Sequence, residues 1–181
     1  MHPSMHPSLG LLSGTVRVVP YNPAWPALFA AEADRIGAAL APLPIHLEHV
    51  GSTSVSGLAA KPIIDILAGR PQGEVAAPYI EALSRAGYDH RGEQGIPGRE
   101  FFRRGTPRAY HVHFVELGST FWRDYLRFRD LLRADASVAA AYERLKQELA
   151  ERFPHDREAY IAGKDPFIVA VLQRAAEQGR V

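Results

Sequence analysis

The chain has 181 residues, a formal net charge of +1 and no cysteine. This length suits one domain, and the lack of cysteine excludes disulfides, thiolate metal sites and cysteine nucleophiles. The near-neutral charge excludes a global field that gathers nucleic acid, and no apolar run approaches the roughly 20 residues of a membrane span. We therefore expect a cytoplasmic protein, because a cysteine-free chain fits a reducing compartment, with neither nucleic acid nor a membrane as its partner.

The first residues differ in character from the rest of the chain. Residues 1–14 contain the repeat Met-His-Pro-Ser and lack the cationic and apolar regions of a signal peptide. We expect this leader to be disordered and residues 15–181 to form a single domain. The sequence leaves the oligomeric state open, a homo-oligomer included.

The first half of the domain alternates strands and helices. Asn22 followed by proline is typical of a helix start, and apolar residues then recur at helical spacing. Gly87 is typical of a helix end. The predicted elements are a strand at 16–19, a helix at 23–40, strands at 45–50 and 62–68, and a helix at 75–86.

The second half is a hairpin followed by helices. The predicted elements are strands at 100–104 and 109–116 around Gly105-Thr106-Pro107, a helix from near Thr120, a helix capped by Ser137 and a helix capped by Asp156. The expected fold class is therefore α/β or α+β, with a mixed sheet, flanking helices and a C-terminal helical section.

A small polar turn and a lone acid form the first candidate site. Gly51 and Ser52 follow a predicted strand; glycine lets a phosphate approach the backbone, and the hydroxyl and amides can donate to it. Asp65 lies among isoleucines on the next strand, where a carboxylate needs a partner or a metal. The alternatives are an ordinary tight turn and a structural acid satisfied by backbone amides, Lys61 or Lys164.

Two histidines form the second candidate. His111 and His113 are two residues apart on a predicted strand, so both imidazoles lie on one face, which suits a metal or a phosphate. Glu48 and His49 precede the Gly-Ser turn, and only one of them faces the same side. The alternative is a solvated strand face without a ligand.

Two cations form the third candidate. Lys164 lies on an apolar helical stripe, where it either extends to solvent or binds an anion. Arg103 belongs to a cluster of arginines around the hairpin, which either protects a sheet edge or binds phosphates. With the glycine turn, these cations predict a phosphate site in which a divalent cation bridges the phosphate to Asp65.

A long joint motif resembles the signature of GrpB-like proteins. Its segments are His46-Leu47-Glu48-His49-Val50-Gly51-Ser52-Thr53-Ser54-Val55-Ser56-Gly57-Leu58 and Lys61-Pro62-Ile63-Ile64-Asp65-Ile66, with further likeness at Tyr21–Trp25, His111–His113, Phe128–Asp130 and Tyr160–Phe167. The resemblance covers nearly everything from residue 16 onward and implies a nucleotidyltransferase-like fold. In some bacteria a similar domain is fused to dephospho-coenzyme A kinase, an association with coenzyme A metabolism.

The resemblance also implies where the chain departs from an active enzyme. Nucleotidyltransferases typically carry Gly-Ser, then Asp-x-Asp on the next strand, then a third acid. Gly51-Ser52 and Asp65 match, but Leu67 occupies the second acid position, and the third acid is either replaced by His113 or missing. Two-metal phosphoryl transfer needs several ligands around two ions roughly 4 Å apart, so Leu67 argues against it. Ser56 stands where relatives commonly have proline.

Three function classes stay open. The first is a metal-dependent enzyme that transfers a phosphoryl or nucleotidyl group, or hydrolyses one, on a nucleotide or another phosphorylated metabolite. The second is a non-catalytic nucleotide-binding or chaperone-like module linked to coenzyme A metabolism. The third is a protein-interaction domain. The expected cofactor is a divalent metal, Mg²⁺ or Mn²⁺, with Zn²⁺ also open. The predicted catalytic residue is Asp65, the predicted substrate-binding residues are Gly51, Ser52, Thr53, Lys61, Arg103 and Lys164, and the predicted metal ligands are Asp65, His111, His113 and Glu48.

Overall fold

The computed structural model describes residues 9–179. Within them the sheet has five strands: β1 (His46–Val50), β2 (Ile64–Arg70), β3 (Asp89–His90), β4 (Glu100–Arg104) and β5 (Tyr110–Glu116). The α-helices are α1 (Trp25–Leu40), α2 (Ala77–Arg85), α3 (Thr120–Ala134), α4 (Ala136–Arg152) and α5 (Arg157–Glu177). A 3₁₀ turn, Ser52–Ser54, follows β1 directly. Among the described helices, none combines the length and apolar character needed to span a membrane.

The strand order across the sheet is β1-β2-β5-β4-β3. The central pair, β2 and β5, is parallel, whereas the other neighbours pair antiparallel. The connection from β2 to β5 contains α2 and the β3-β4 hairpin, and the last three helices follow β5. The predicted mixed sheet with flanking helices and a C-terminal helical section is confirmed.

One face of the sheet carries the main apolar core. Successive strand residues point to opposite faces, and on this face the exposed fraction of the strand side chains is close to zero. Helices α1 and α2 cover it with Trp25, Ile36, Tyr79 and Leu83. The strand residues in this core are Ile64, Ile66, Ala68, Phe102, Val112 and Phe114.

Helices α3, α4 and α5 cover the opposite face. Near one end of the strands, Leu67 and Val115 pack against Trp122 of α3. Beyond the 3₁₀ turn, Leu58 packs with Tyr142 of α4. These small clusters leave a polar region between the helices and the middle of the sheet, and the candidate site lies there.

Three local features differ from the sequence-based expectations. The strand predicted at 16–19 is a single bridge between Val19 and Ala60, because the Val16 amide donates to the Pro154 carbonyl instead of to a strand. Helix α4 is capped by Asp135 and not by Ser137, since the Asp135 carboxylate accepts from the first helical amides. Strand β3 was not predicted, because two residues are too few to show an alternation.

The expected leader extends only partly into the described residues. Residues 1–8 lie outside them. Leu11 is buried and pairs with Arg108, and the Gly10 amide donates to the Pro62 carbonyl. Residues 9–11 therefore pack on the domain, because burying Leu11 removes its apolar side chain from water, whereas residues 12–14 are exposed.

Candidate functional site

The Asp65 carboxylate lies between the two imidazoles predicted to join it. In the parallel pair, Asp65 is in register with His111, and His113 follows two residues later on the same face. Asp65 Oδ1 is 3.0 Å from His113 Nε2 and 3.4 Å from His111 Nδ1. Burial by itself would raise the pKa of Asp65, but hydrogen bonds from His111 and His113 outweigh it and hold that pKa well below its usual range.

The imidazoles act as hydrogen-bond donors toward this carboxylate. Arg99 lies 3.4 Å from His113 Nδ1 and can only donate, so His113 Nδ1 accepts and its Nε2–H faces Asp65. Burial lowers the pKa of His111 to about 4 despite its contact with Asp65, so His111 is neutral at pH 7. Its Nε2 atom is buried and has no hydrogen-bond partner among the described residues.

The glycine turn presses against Asp65. Gly51 has φ 70° and ψ −178°, a backbone region that is essentially restricted to glycine. A Cβ atom there would lie 2.9 Å from Asp65 Oδ2. Gly51 therefore allows the turn to approach the acid closely, and Ser52 begins the 3₁₀ turn beside it.

All three lysines of the sequence line one cavity with Asp65. Lys146 is 2% exposed and donates to Ser52 Oγ at 2.8 Å and to the Ala59 carbonyl. Lys61 and Lys164 lie near the Tyr160 ring, with their Nζ atoms 5.1 and 4.7 Å from its centroid. Within residues 9–179 none of the three lysines forms an ion pair with a carboxylate.

Burial, and after it the nearness of these ammonium groups to one another, raises the free energy of their protonated forms. Burial, reinforced by the charge of Lys164, lowers the pKa of Lys146 to about 7. Burial and then Lys164 lower the pKa of Lys61 to about 7 as well. An anion between them would offset both effects, because it favours the charged forms.

The cavity has a volume of about 790 Å³ and combines cations with aromatic walls. Phe121 and Tyr125 stack with their ring centroids 4.1 Å apart, close to His113. Mostly apolar walls with a few converging polar groups are typical of small-molecule sites. The aromatic residues that line it are Phe101, Phe121, Tyr125, Phe128, Tyr142 and Tyr160.

Most of the predicted site residues lie in this cavity, but Glu48 and Arg103 do not, and the Thr53 hydroxyl contacts a residue outside it. Glu48 faces the same side of the sheet, opposite Leu67, yet its carboxylate binds Arg129 at 2.7 Å. Thr53 lines the cavity while its hydroxyl contacts His49 at 2.9 Å. Arg103 is in register with His111 on β4 but does not line the cavity wall. Those in the cavity are Gly51, Ser52, Thr53, Lys61, Asp65, His111, His113 and Lys164.

The residues present do not fit a two-metal centre. Leu67 is fully buried in an apolar cluster at the second acid position. Glu48 is paired with Arg129, and both imidazoles donate to Asp65. Across residues 9–179 no three or more histidines and acids form a group that could hold a metal ion.

Sequence reasoning did not identify Lys146 and Arg157, which also line the cavity. Lys146 lies four residues after Tyr142 and three before Leu149, within the apolar stripe of α4. The reasoning that singled out Lys164 on an apolar stripe applies equally to Lys146. Arg157 begins α5, and nothing in its local pattern distinguishes it from other arginines.

Solved structures with the same fold include a close relative and distant enzymes. The conserved protein GrpB from Enterococcus faecalis is 35% identical, with a TM-score of 0.81, and the match covers 91% of this chain and 100% of that chain. The poly(U) polymerase Cid1, solved with MgGTP bound, matches with a TM-score of 0.51 at 15% identity over 75% of this chain and 45% of that chain. The second likeness establishes a nucleotidyltransferase-like fold only.

Similar sequences are found in several bacteria. A UPF0157 protein from Pseudomonas aeruginosa is 44% identical over 88% of this chain and 67% of its own length. UPF0157 protein YqkA from Bacillus subtilis is 38% identical over 88% of this chain, and the chain spans 47% of that relative. A dephospho-CoA kinase from Mycolicibacterium paratuberculosis is 29% identical over 88% of this chain, which spans 46% of the kinase.

The family model described as GrpB protein matches residues 15–174. That range contains every strand of the sheet, the glycine turn, Asp65 and the three lysines. The chain therefore belongs to the GrpB protein family.

Proposed function

We propose that the cavity binds a nucleotide or another phosphorylated metabolite, with a phosphate at Ser52 and Lys146 and the apolar part of the ligand against the aromatic walls. One observation carries the proposal. All three lysines of the chain converge on this cavity, and no carboxylate pairs with them within the described residues.

A phosphate is the anion that this arrangement suits best. Three lysines and three arginines line the cavity with three carboxylates, so cations outnumber acids there, and the two imidazoles donate to one of those carboxylates, that of Asp65. The close turn at Gly51 presents backbone and the Ser52 hydroxyl beside Lys146. Lysine with a glycine-containing turn is a common phosphate-binding set.

The aromatic walls support a ligand that also carries a planar ring. Phe121 and Tyr125 lie on the same side of the cavity as His113, and Tyr160 lies near two of the ammonium groups. Nucleotides combine such a ring with phosphates. The similarity to a dephospho-CoA kinase makes dephospho-coenzyme A a second ligand of the same chemical class to test.

The test is calorimetric titration of AMP, ATP and dephospho-coenzyme A into the parent chain and into Lys146→Gln. We expect the substitution to weaken phosphate binding about tenfold to a hundredfold, because a charge-assisted hydrogen bond contributes about 1.5–3 kcal/mol. Arg144→Gln is the matched control, since Arg144 is exposed on the same helix and the charge change is equal. Equal binding by Lys146→Gln and the parent would contradict the proposal.

Metal-dependent phosphoryl or nucleotidyl transfer is the second candidate function. The observation that favours it is Asp65 itself, whose side chain is 28% exposed to the cavity beside the lysines. If a divalent cation bridges Asp65 to a phosphate, then Mg²⁺, Mn²⁺ or Zn²⁺ strengthens nucleotide binding by the parent and not by Asp65→Asn. If Asp65→Asn binds as tightly as the parent with and without metal, Asp65 is a structural acid.

A chain that binds none of these ligands favours the remaining class, a protein-interaction domain. The same titrations therefore separate all three classes. A nucleotide that binds without metal and is not turned over identifies a binding module. Release of pyrophosphate or phosphate that requires both metal and Asp65 identifies a transferase or hydrolase.

A further inference from the structure

A second group of cations lies beside the cavity. The Nε atoms of Arg103, Arg108 and Arg157 are each buried and have no hydrogen-bond partner. Arg108 is only 8% exposed. Within residues 9–179 none of these three arginines forms an ion pair with a carboxylate. Buried polar atoms are normally hydrogen-bonded, so three unsatisfied guanidinium nitrogens in one region require an explanation.

The three guanidinium groups are close enough to interact. Arg103 lies on β4, Arg108 follows in the turn to β5, and Arg157 begins α5 and lines the cavity. Burial and then the charge of Arg157 lower the pKa of Arg103 to about 10. Burial and then Arg157 also lower the pKa of Arg108. These like charges repel one another, and Arg157 adds its charge at the positive end of a helix dipole.

Arg99 illustrates the usual way in which a buried arginine is satisfied. It is 7% exposed, and its guanidinium donates to the carbonyls of Glu93 and Gln94. Arg103, Arg108 and Arg157 have no such side-chain hydrogen bonds within the described part of the chain. Unlike Arg99, these three guanidinium groups have neither a hydrogen-bond acceptor nor a carboxylate partner within the described residues, although Arg103 lies over the Phe101 ring, 5.5 Å from its centroid.

The backbone of Arg103 lies at a distance from the phosphate position at Ser52. Val50, Asp65, His111 and Arg103 form one row across β1, β2, β5 and β4, each in register with the next. Neighbouring strands are about 4.8 Å apart, so the backbone of Arg103 is roughly 14 Å from the end of β1, where Ser52 follows. A single phosphate group cannot span this separation.

We propose that Arg103, Arg108 and Arg157 form a second anion subsite, and that the ligand of this protein carries an additional phosphate or carboxylate far from the phosphate at Ser52 and Lys146. The inference rests on the proposed function. Guanidinium groups bind either oxyanion in a bidentate manner. Lys146 holds one end of the ligand and the arginines hold the other.

The test compares three ligands by calorimetry: AMP, adenosine 3′,5′-bisphosphate, which adds a phosphate, and adenylosuccinate, which adds two carboxylates at the base. We expect at least one of the two larger ligands to bind the parent about tenfold more tightly than AMP, the gain typical of charge-assisted hydrogen bonds. If only the bisphosphate binds more tightly than AMP, the subsite binds phosphate. If only adenylosuccinate binds more tightly than AMP, the subsite binds carboxylate.

Arg157→Gln should remove this gain, so it should weaken binding of the larger ligand more than it weakens binding of AMP. Without ligand it should melt about 2 °C higher than the parent, because the substitution relieves repulsion among the arginines. Arg174→Gln is the control, since Arg174 is exposed on the same helix and should change neither property. Arg103→Gln provides a second variant with the same expected loss.

Each outcome separates this inference from the proposed function. If AMP binds and neither added group improves the affinity, the second subsite is overturned while the phosphate site stands. The same holds if the gain survives in both Arg157→Gln and Arg103→Gln. If the parent binds none of the three ligands, and neither ATP nor dephospho-coenzyme A, both proposals are overturned.

Discussion

On β2, Ile64 and Ile66 face helices α1 and α2, whereas Asp65 between them faces the cavity. The same alternation occurs on β4, where Phe102 joins the apolar core and Phe101 lies beside the two imidazoles. Alternate residues of the same strands thus build two surfaces of opposite chemistry. One surface is filled by apolar side chains, and the other holds buried cations, a carboxylate and a cavity.

This difference indicates how the molecule separates stability from function. Apolar burial contributes about 25 cal/mol per Å², and the α1-α2 face concentrates it. Buried charges without ion-pair partners cost free energy, and the cavity face contains Lys61, Lys146 and the arginines near Arg157. The apolar face therefore stabilises a domain whose other face carries the free-energy cost of buried cations without ion-pair partners.

The largest expected effect comes from the neighbouring pair Phe101 and Phe102, which are 2% and 0% exposed on opposite faces. Phe102→Ala should lower the free energy of unfolding by about 3–5 kcal/mol, because it leaves a cavity in the main core. Its AMP affinity should stay within about twofold of the parent, measured by calorimetry below the melting temperature.

Phe101→Ala is the matched comparison. It should also destabilise the protein, but it should in addition weaken AMP binding severalfold, because Phe101 packs against His111, His113 and Arg99. Equal AMP affinities in the two variants would contradict the separation of the two faces.

A smaller effect is expected at the glycine turn. Gly51→Ala should lower the free energy of unfolding by about 1–3 kcal/mol and weaken AMP binding, because the backbone there is restricted to glycine and the new Cβ meets Asp65. Gly57→Ala is the control: Gly57 has φ 80° but no atom within 4 Å of a Cβ. Gly57→Ala should lower the stability without weakening AMP binding. If AMP binding is lost in Gly57→Ala as well, backbone strain and not contact with Asp65 disturbs the site.

The smallest effect concerns pH. The pKa of Lys146 is about 7 in the folded protein, below the ordinary lysine value of 10.5, so the unfolded chain binds more protons between these two values. The contribution of Lys146 to stability therefore rises as pH increases from 7 to 9. AMP affinity should change in the opposite direction, by at most about tenfold per pH unit for each lysine that must be charged.

Melting curves and titrations at pH 7, 8 and 9 measure both trends. Lys146→Gln should flatten the pH dependence of stability, while Lys61, whose pKa is also about 7, retains part of it. Stability and AMP affinity that change in the same direction with pH would contradict the assignment of these lysines to phosphate binding.

Local pattern was sufficient to predict much of the fold and part of the site. Apolar spacing predicted the helices near α1 and α2 and the strands near β1, β2, β4 and β5. His111 and His113 share a face because side chains two residues apart on a strand always do. Gly51 and Asp65 were found because a glycine turn and an acid within an apolar run are visible without knowledge of the fold.

The tertiary structure decided which groups meet. Glu48 is paired with Arg129, which is 81 residues away in sequence, and Ser52 receives its hydrogen bond from Lys146, 94 residues away. Arg103 lies on the predicted face of β4 but does not line the cavity, whereas Phe101 on the same strand does. Sequence periodicity determines which face of an element a side chain occupies. The partner that the side chain meets there depends on how segments distant in sequence pack together, and only the tertiary structure determines this packing.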